Sequence, residues 1–304
     1  MSLSYPEAIV IGALQGVSEL FPISSLGHSV LIPALVGGQW AKDLDVSAPE
    51  SPYLAFIVGL HVATALALLL FFWRDWVRII GGFFSSVRHR KIETPDERLA
   101  WLLIVATIPV GIAGLALEHT FRTVLGKPEP AALFLAANGA VLYAGELLRR
   151  RAAKRDDTAV IASEAEDLPP DQASDRRLAR LGWIEGTLIG AAEILALLPG
   201  ISRSGVTMVA GLTRGLSHQD AARFSFLLAT PVILAAGALK IPDLTGPLGN
   251  GIHGQILVGS LCSFVGAYLA VRFLVRYFET RTLTPFAIYC AVAGLGSFAY
   301  LTLT

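Results

Sequence analysis

Cysteine is nearly absent: the 304-residue chain carries two, Cys262 and Cys290. Both lie inside apolar stretches, so neither a disulfide framework nor a zinc site is in view. Charge is scarce as well, at 16% of residues against 54% hydrophobic, with a mean hydropathy of +0.60. A water-soluble domain cannot hide that much apolar surface, which leaves a multi-span helical membrane protein as the class. The long apolar runs do not alternate with polar residues, which excludes a transmembrane barrel. No P-loop, Rossmann glycine fingerprint, EF-hand or zinc-binding helix pattern is present, and no nucleic-acid partner is expected. The first residues lack a basic stretch and are broken by Pro22 and polar residues, so they do not read as a cleavable signal peptide.

Apolar runs at 53–73, 99–117, 131–148, 223–240, 255–271 and 284–304 are each able to cross about 30 Å of hydrocarbon. The formal net charge of zero conceals an asymmetry between their connections. Arg74, Arg78, Arg88, Arg90, Lys91 and Arg98 follow the first span. Arg149, Arg150, Arg151, Lys154, Arg155, Arg176, Arg177 and Arg180 follow the third, and Arg272, Arg276 and Arg281 the fifth. The other two connections carry only Arg122 with Lys127, and Lys240. By the positive-inside rule the arginine-rich connections are cytoplasmic and the other two external.

Two apolar segments, 4–37 and 181–216, are interrupted by a proline and a serine-glycine cluster. Span counting makes the first enter and leave on the external side and the second on the cytoplasmic side. The two are alike: 12–27 and 190–205, offset by 178 residues, match at Gly, Ala, Leu, Ile, Ser and the final Gly, with Gln15 opposite Glu193. The polar tract 150–177 reads as a mobile cytoplasmic linker. The expected architecture is all-α, with two inverted-topology repeats (1–149 and 178–304), each a re-entrant helical hairpin followed by three spans. Such folds place a binding site near the midplane where the broken helices meet.

Each interrupted segment breaks at a proline, Pro22 or Pro199, and restarts at a serine, Ser24-Ser25 or Ser202. Serine favours the N-cap, so two helix starts would direct free N–H groups and positive dipole ends at one spot, a site for an anion such as phosphate. Gly27, Gly200 and Gly205 allow close backbone approach. Arg203 at the second tip brings a costly intramembrane guanidinium whose fork of donors suits phosphate oxygens. Ser202, Ser204 and Thr207 add hydroxyls. At the first tip, Gln15 and Glu19 share a helical face. Glu19 needs a partner to stay ionised there, either Arg203 or a divalent cation, Mg²⁺ or Ca²⁺, shared with substrate phosphate oxygens. His28, three residues after Ser25, is placed to accept the proton of a serine hydroxyl or of a water. His61 either lines the site or bonds a neighbouring helix, while Glu146 and Glu185 read as interfacial.

These residues resemble the undecaprenyl-diphosphatase family, also called the bacitracin-resistance protein family. The likeness lies in Gln15-Gly16-Val17-Ser18-Glu19, Phe21-Pro22-Ile23-Ser24-Ser25-Leu26-Gly27-His28 and Leu198-Pro199-Gly200-Ile201-Ser202-Arg203-Ser204-Gly205, with 224–231 and 285–289 similar as well. The resemblance implies hydrolysis of undecaprenyl pyrophosphate at the external face of a bacterial inner membrane, which recycles the lipid carrier for cell-wall synthesis. It also implies a divalent-cation requirement and site roles for Glu19, Ser25, His28 and Arg203. Gln15 stands where many members have glutamate. Its carbonyl can coordinate a cation but brings no charge, and Glu193 is the expected compensation. Leu26 replaces a threonine common in the family. The expected partners are the polyprenyl diphosphate and membrane lipids, with a homodimer left open. The rival reading is a polyprenyl-phosphate flippase, which would use the same phosphate-binding hairpins without needing a proton acceptor.

Overall fold

The computed structural model describes residues 3–44, 52–153, 169–239, 246 and 251–303. Most of the expected linker (154–168, with Lys154 and Arg155), Lys240 and Thr304 lie outside the described residues. Among the described residues the chain forms thirteen α-helices and one 3-10 helix, with no strand. In chain order they are α1 (Tyr5–Leu20), α2 (Ser25–Val36), α3 (Gly38–Asp43), α4 (Pro52–Phe71), α5 (Trp73–His89), α6 (Pro95–Leu125) and α7 (Pro128–Ala153). There follow α8 (Pro170–Ala179), α9 (Trp183–Ala191), the 3-10 turn Ala192–Leu197, α10 (Arg203–Thr213), α11 (His218–Leu239), α12 (His253–Thr280) and α13 (Thr284–Leu303).

Five helices, α6, α7, α11, α12 and α13, are long and apolar enough to cross a membrane, and the bent pair α4–α5 supplies a sixth candidate. The protein is a multi-pass membrane protein. All six expected spans fall on these helices. The connection after the first span is itself helical: α5 turns 86° away from α4. Trp73, Val77, Ile80, Phe84 and Val87 recur every three or four residues and stay exposed, while Arg74, Arg78 and Arg88 occupy the rest of the helix. That is the pattern of a helix lying along a membrane surface.

The second departure concerns the linker. Residues 170–177, expected to be mobile, belong to α8, and Ala173, Ser174 and Asp175 on it are buried. Arg177 forks onto Asp220 at 2.7 and 2.8 Å, and Ser174 donates to the same carboxylate at 2.5 Å. Asp175 accepts from Arg223 at 2.8 and 3.0 Å and from Arg78 at 2.6 Å. Paired charges hold α8 against α5 and α11, where composition alone suggested a solvated chain.

The long helices pack closely. α1 lies along α12 and α9 along α6, while α7 pairs with α13 and α4 packs on both α12 and α11. Small residues permit this, as membrane helices require. A Cβ at Gly12 would strike the Gly259 carbonyl, and one at Gly190, its counterpart in the internal match, would strike that of Ala106.

Candidate active site

Both interrupted segments fold as helix, break, helix, and the two breaks touch. At the first, Ile23 N–H donates to the Phe21 carbonyl at 2.7 Å across Pro22, a three-residue turn that ends α1. Ser24 then sits at φ +68°, a strained backbone for a residue with a side chain, as functional sites often hold. Its hydroxyl caps α2 by accepting from Gly27 N–H at 3.2 Å. At the second break, Gly200 sits at φ +111° and Ser202 caps α10 in the same way, accepting from Gly205 N–H at 3.2 Å. Both serines are the expected caps.

The tips are stitched together. Gly200 N–H donates to Ser24 Oγ at 3.2 Å, and Ser204 Oγ donates to the Phe21 carbonyl at 3.2 Å. Ser202 Oγ lies 3.1 Å from Ser204 Oγ. A Cβ on Gly27 would stand 2.8 Å from Gly200 Cα, and one on Gly205 would stand 3.4 Å from Pro22 Cβ. Asn138, midway along α7 and fully buried, joins both breaks: its Nδ2 donates to the Pro22 carbonyl and its Oδ1 accepts from Ser202 N–H, each at 3.0 Å. Sequence reading missed it, although an asparagine inside the apolar run 131–148 is a signal in itself.

Glu19, in the last turn of α1, is the hub. Arg203 Nη2 donates to its Oε1 at 2.5 Å. Its Oε2 accepts from Gln15 Nε2 at 2.9 Å and from the Ser25 hydroxyl, and His61 Nε2 lies 3.4 Å away. His61 therefore lines the site. Glu193, on the 3-10 turn and buried, holds Thr207 Oγ1 at 3.2 Å, and that hydroxyl also lies 2.8 Å from the Arg203 carbonyl. Thus Gln15, Glu19, Ser25, His61 and Arg203 meet at one carboxylate, with Glu193 and Thr207 behind Arg203.

His28 is held differently from the expectation. Its Nδ1 is 2.7 Å from the Ser24 carbonyl and its Nε2 is 2.7 Å from the Tyr289 hydroxyl on α13. The acceptor for the Ser25 hydroxyl is Glu19. The ring satisfies the carbonyl one turn back, and that leans it toward α13 instead of toward Ser25.

Gln15 Oε1, Glu193 Oε2 and Arg203 Nη1 are buried without a hydrogen-bond partner. Two are hard oxygens of the kind Mg²⁺ and Ca²⁺ accept, and the third is a guanidinium donor suited to a phosphate oxygen. Among the described residues no group of three His, Cys, Asp or Glu side chains is gathered to hold a metal by itself. These donors therefore fit a cation whose remaining ligands are substrate oxygens or water. Elsewhere, Glu146 is buried and holds His218 Nε2 at 2.8 Å, and Glu185 caps α9 through Gly182 N–H at 2.9 Å.

The sequence has relatives among known proteins. Residues 8–296 match the family described as Bacitracin resistance protein BacA. The chain is 72% identical to "Undecaprenyl-diphosphatase" of Mycolicibacterium paratuberculosis over 301 residues, 99% of this chain and 98% of the relative. It is 53% identical to "Undecaprenyl-diphosphatase 1" of Frankia casuarinae (96% of this chain, 97% of the relative). It is 42% identical to "Undecaprenyl-diphosphatase 2" of Burkholderia lata (94% of this chain, 93% of the relative). This chain belongs to the Bacitracin resistance protein BacA family.

Proposed function

We propose that this protein hydrolyses undecaprenyl diphosphate to undecaprenyl phosphate and inorganic phosphate. The observation that carries the reading is the meeting of Arg203 from one broken segment with Glu19 and Ser25 from the other, in a chain related throughout to proteins named undecaprenyl-diphosphatase.

Phosphoryl transfer needs positioning and charge stabilisation above all. Arg203 Nη1 and the N–H groups at the starts of α2 and α10 receive the terminal phosphate. Ser25 Oγ attacks it or positions the attacking water, and Glu19, already hydrogen-bonded to that hydroxyl, orients it and takes its proton. The bond from the terminal phosphorus to the bridging oxygen breaks, and the prenyl monophosphate leaves with the electron pair; where Ser25 is the attacking group, water then cleaves the phosphoserine ester, which releases inorganic phosphate and restores the hydroxyl. His28, tied to Ser24 and Tyr289, fixes the start of α2, and in this reading it relays a proton through water. A divalent cation would be held by Gln15 Oε1, Glu193 Oε2 and Glu19, and it supplies further neutralisation of the diphosphate oxygens when bound.

The fold we infer is a pair of inverted repeats with re-entrant hairpins. The exchange of partners supports it: the first arm of each broken segment, α1 or α9, packs on the second span of the other half, α12 or α6. So do the half-helices, at 16 and 12 residues in the first segment, each shorter than the roughly 20 needed to cross. The arginine distribution gives the orientation, in a bacterial inner membrane with the site opening outward. The test is phosphate release from undecaprenyl diphosphate by purified protein in detergent, where no gradient can drive transport. Turnover supports a hydrolase. Lipid binding without phosphate release would leave a carrier instead.

A further inference from the structure

Two sets of arginines contrast with each other. Arg78, Arg177 and Arg223 are each bound to aspartates within 3.0 Å. Arg272, Arg276 and Arg281, at the end of α12, are exposed, and none has a carboxylate within ion-pair distance among the described residues. They border a surface groove of about 450 Å³ together with Leu269 and Phe273. Arg272 and Arg276 are one turn apart, so their guanidinium groups can converge on one anion.

The same face is graded along its length. Leu261, Val265, Leu269 and Phe273 follow one another at four-residue spacing, and all stay exposed. They form an apolar strip of about 18 Å at 1.5 Å per residue, which ends where the arginines begin. A strip of that length leading to three unpaired guanidinium groups complements an acyl chain and its head-group phosphate. Any lipid-facing helix offers apolar side chains; here the end of the strip and the three arginines line one shared depression. Basic pockets on the cytoplasmic side of membrane helices recognise anionic head groups in this way.

We infer that this groove binds one anionic phospholipid of the cytoplasmic leaflet, its phosphate at Arg272, Arg276 and Arg281 and an acyl chain along Leu261 to Phe273. Phe273 also stacks on Phe21 at 5.9 Å between ring centroids, and Phe21 adjoins the Pro22 break. The bound lipid therefore rests on a side chain that touches the first hairpin tip.

The test is native mass spectrometry of the purified protein titrated with phosphatidylglycerol, with phosphatidylcholine of the same chains, and with inorganic phosphate. The wild type is expected to retain one phosphatidylglycerol in preference to phosphatidylcholine. Arg272→Gln/Arg276→Gln is expected to weaken that retention roughly thirtyfold, the surface attraction of two arginines, and Arg281→Gln to weaken it less. Arg88→Gln/Arg90→Gln removes the same charge at the end of α5 and is expected to leave retention unchanged. Equal retention of the two lipids by the wild type would overturn the inference, as would equal losses in the two double variants. Displacement of the lipid by inorganic phosphate at matched concentration would also overturn it, because the site would then be one for free anions.

Discussion

Arg203 Nη2 and Glu19 Oε1, 184 residues apart in the chain, meet at 2.5 Å where two helix breaks come together. Both side chains are largely withdrawn from solvent, at 14% and 6% exposure. A charge pair at that depth is costly to assemble and costlier to break. It holds the site in register and leaves Arg203 Nη1 free for a phosphate oxygen.

Breaking the pair from one side leaves a buried charge uncompensated, so Glu19→Gln and Arg203→Gln should each destabilise the protein by about 3–5 kcal/mol. The double variant should lose clearly less than the sum. Thermal melting in detergent measures the cycle, and strictly additive losses would show that the two groups do not interact.

The two serines of the first tip should separate by role. Ser25→Ala is expected to lower kcat by about 10²–10⁴-fold with little change in KM, since its hydroxyl acts in the transfer. Ser24→Ala is expected to cost about 1 kcal/mol of stability through loss of the α2 cap, along with the bond to Gly200. Steady-state kinetics beside melting curves would distinguish them, and the reverse pattern would exchange the assignments.

Gly27 is tolerated only because it has no side chain: an added Cβ would lie 2.8 Å from Gly200 Cα. Gly27→Ala should push the tips apart and lower turnover by about 10²-fold, the usual effect of roughly 1 Å of misplacement. A full-length, membrane-inserted Gly27→Ala protein with normal turnover would mean the contact has no bearing on the chemistry.

Chelation should suppress phosphate release, and added Mg²⁺ or Ca²⁺ should restore it. Gln15→Ala should raise the cation concentration needed for half-maximal activity, because it removes one hard oxygen. Unchanged rates in excess chelator would remove the cation from the site.

The parts of the fold carried by local pattern were legible in the sequence. Long apolar runs located the spans, and the Pro-Ser-Gly interruptions located both breaks and the serine caps. Contacts between distant segments were not. α8 is charged and proline-flanked, so composition reads it as solvated chain, yet Arg177 and Asp220 meet across 43 residues. Spacing put His28 one turn after Ser25, but it cannot reveal that the ring bonds Tyr289, 261 residues further on. Asn138 draws its role from two breaks that neither flank it nor resemble it. His61 needed the packing of α4 beside α1 to become a neighbour of Glu19.

The most direct measurement is single-turnover phosphate release with substrate already bound, comparing the wild type with Arg203→Ala. The wild type should release one phosphate per site. Arg203→Ala, inserted and still binding the prenyl lipid, should be slower by about 10²–10³-fold, the loss expected when a donor to developing charge is removed. Release at the wild-type rate from Arg203→Ala would contradict the assignment of the joined hairpin tips as the place where the diphosphate is cleaved.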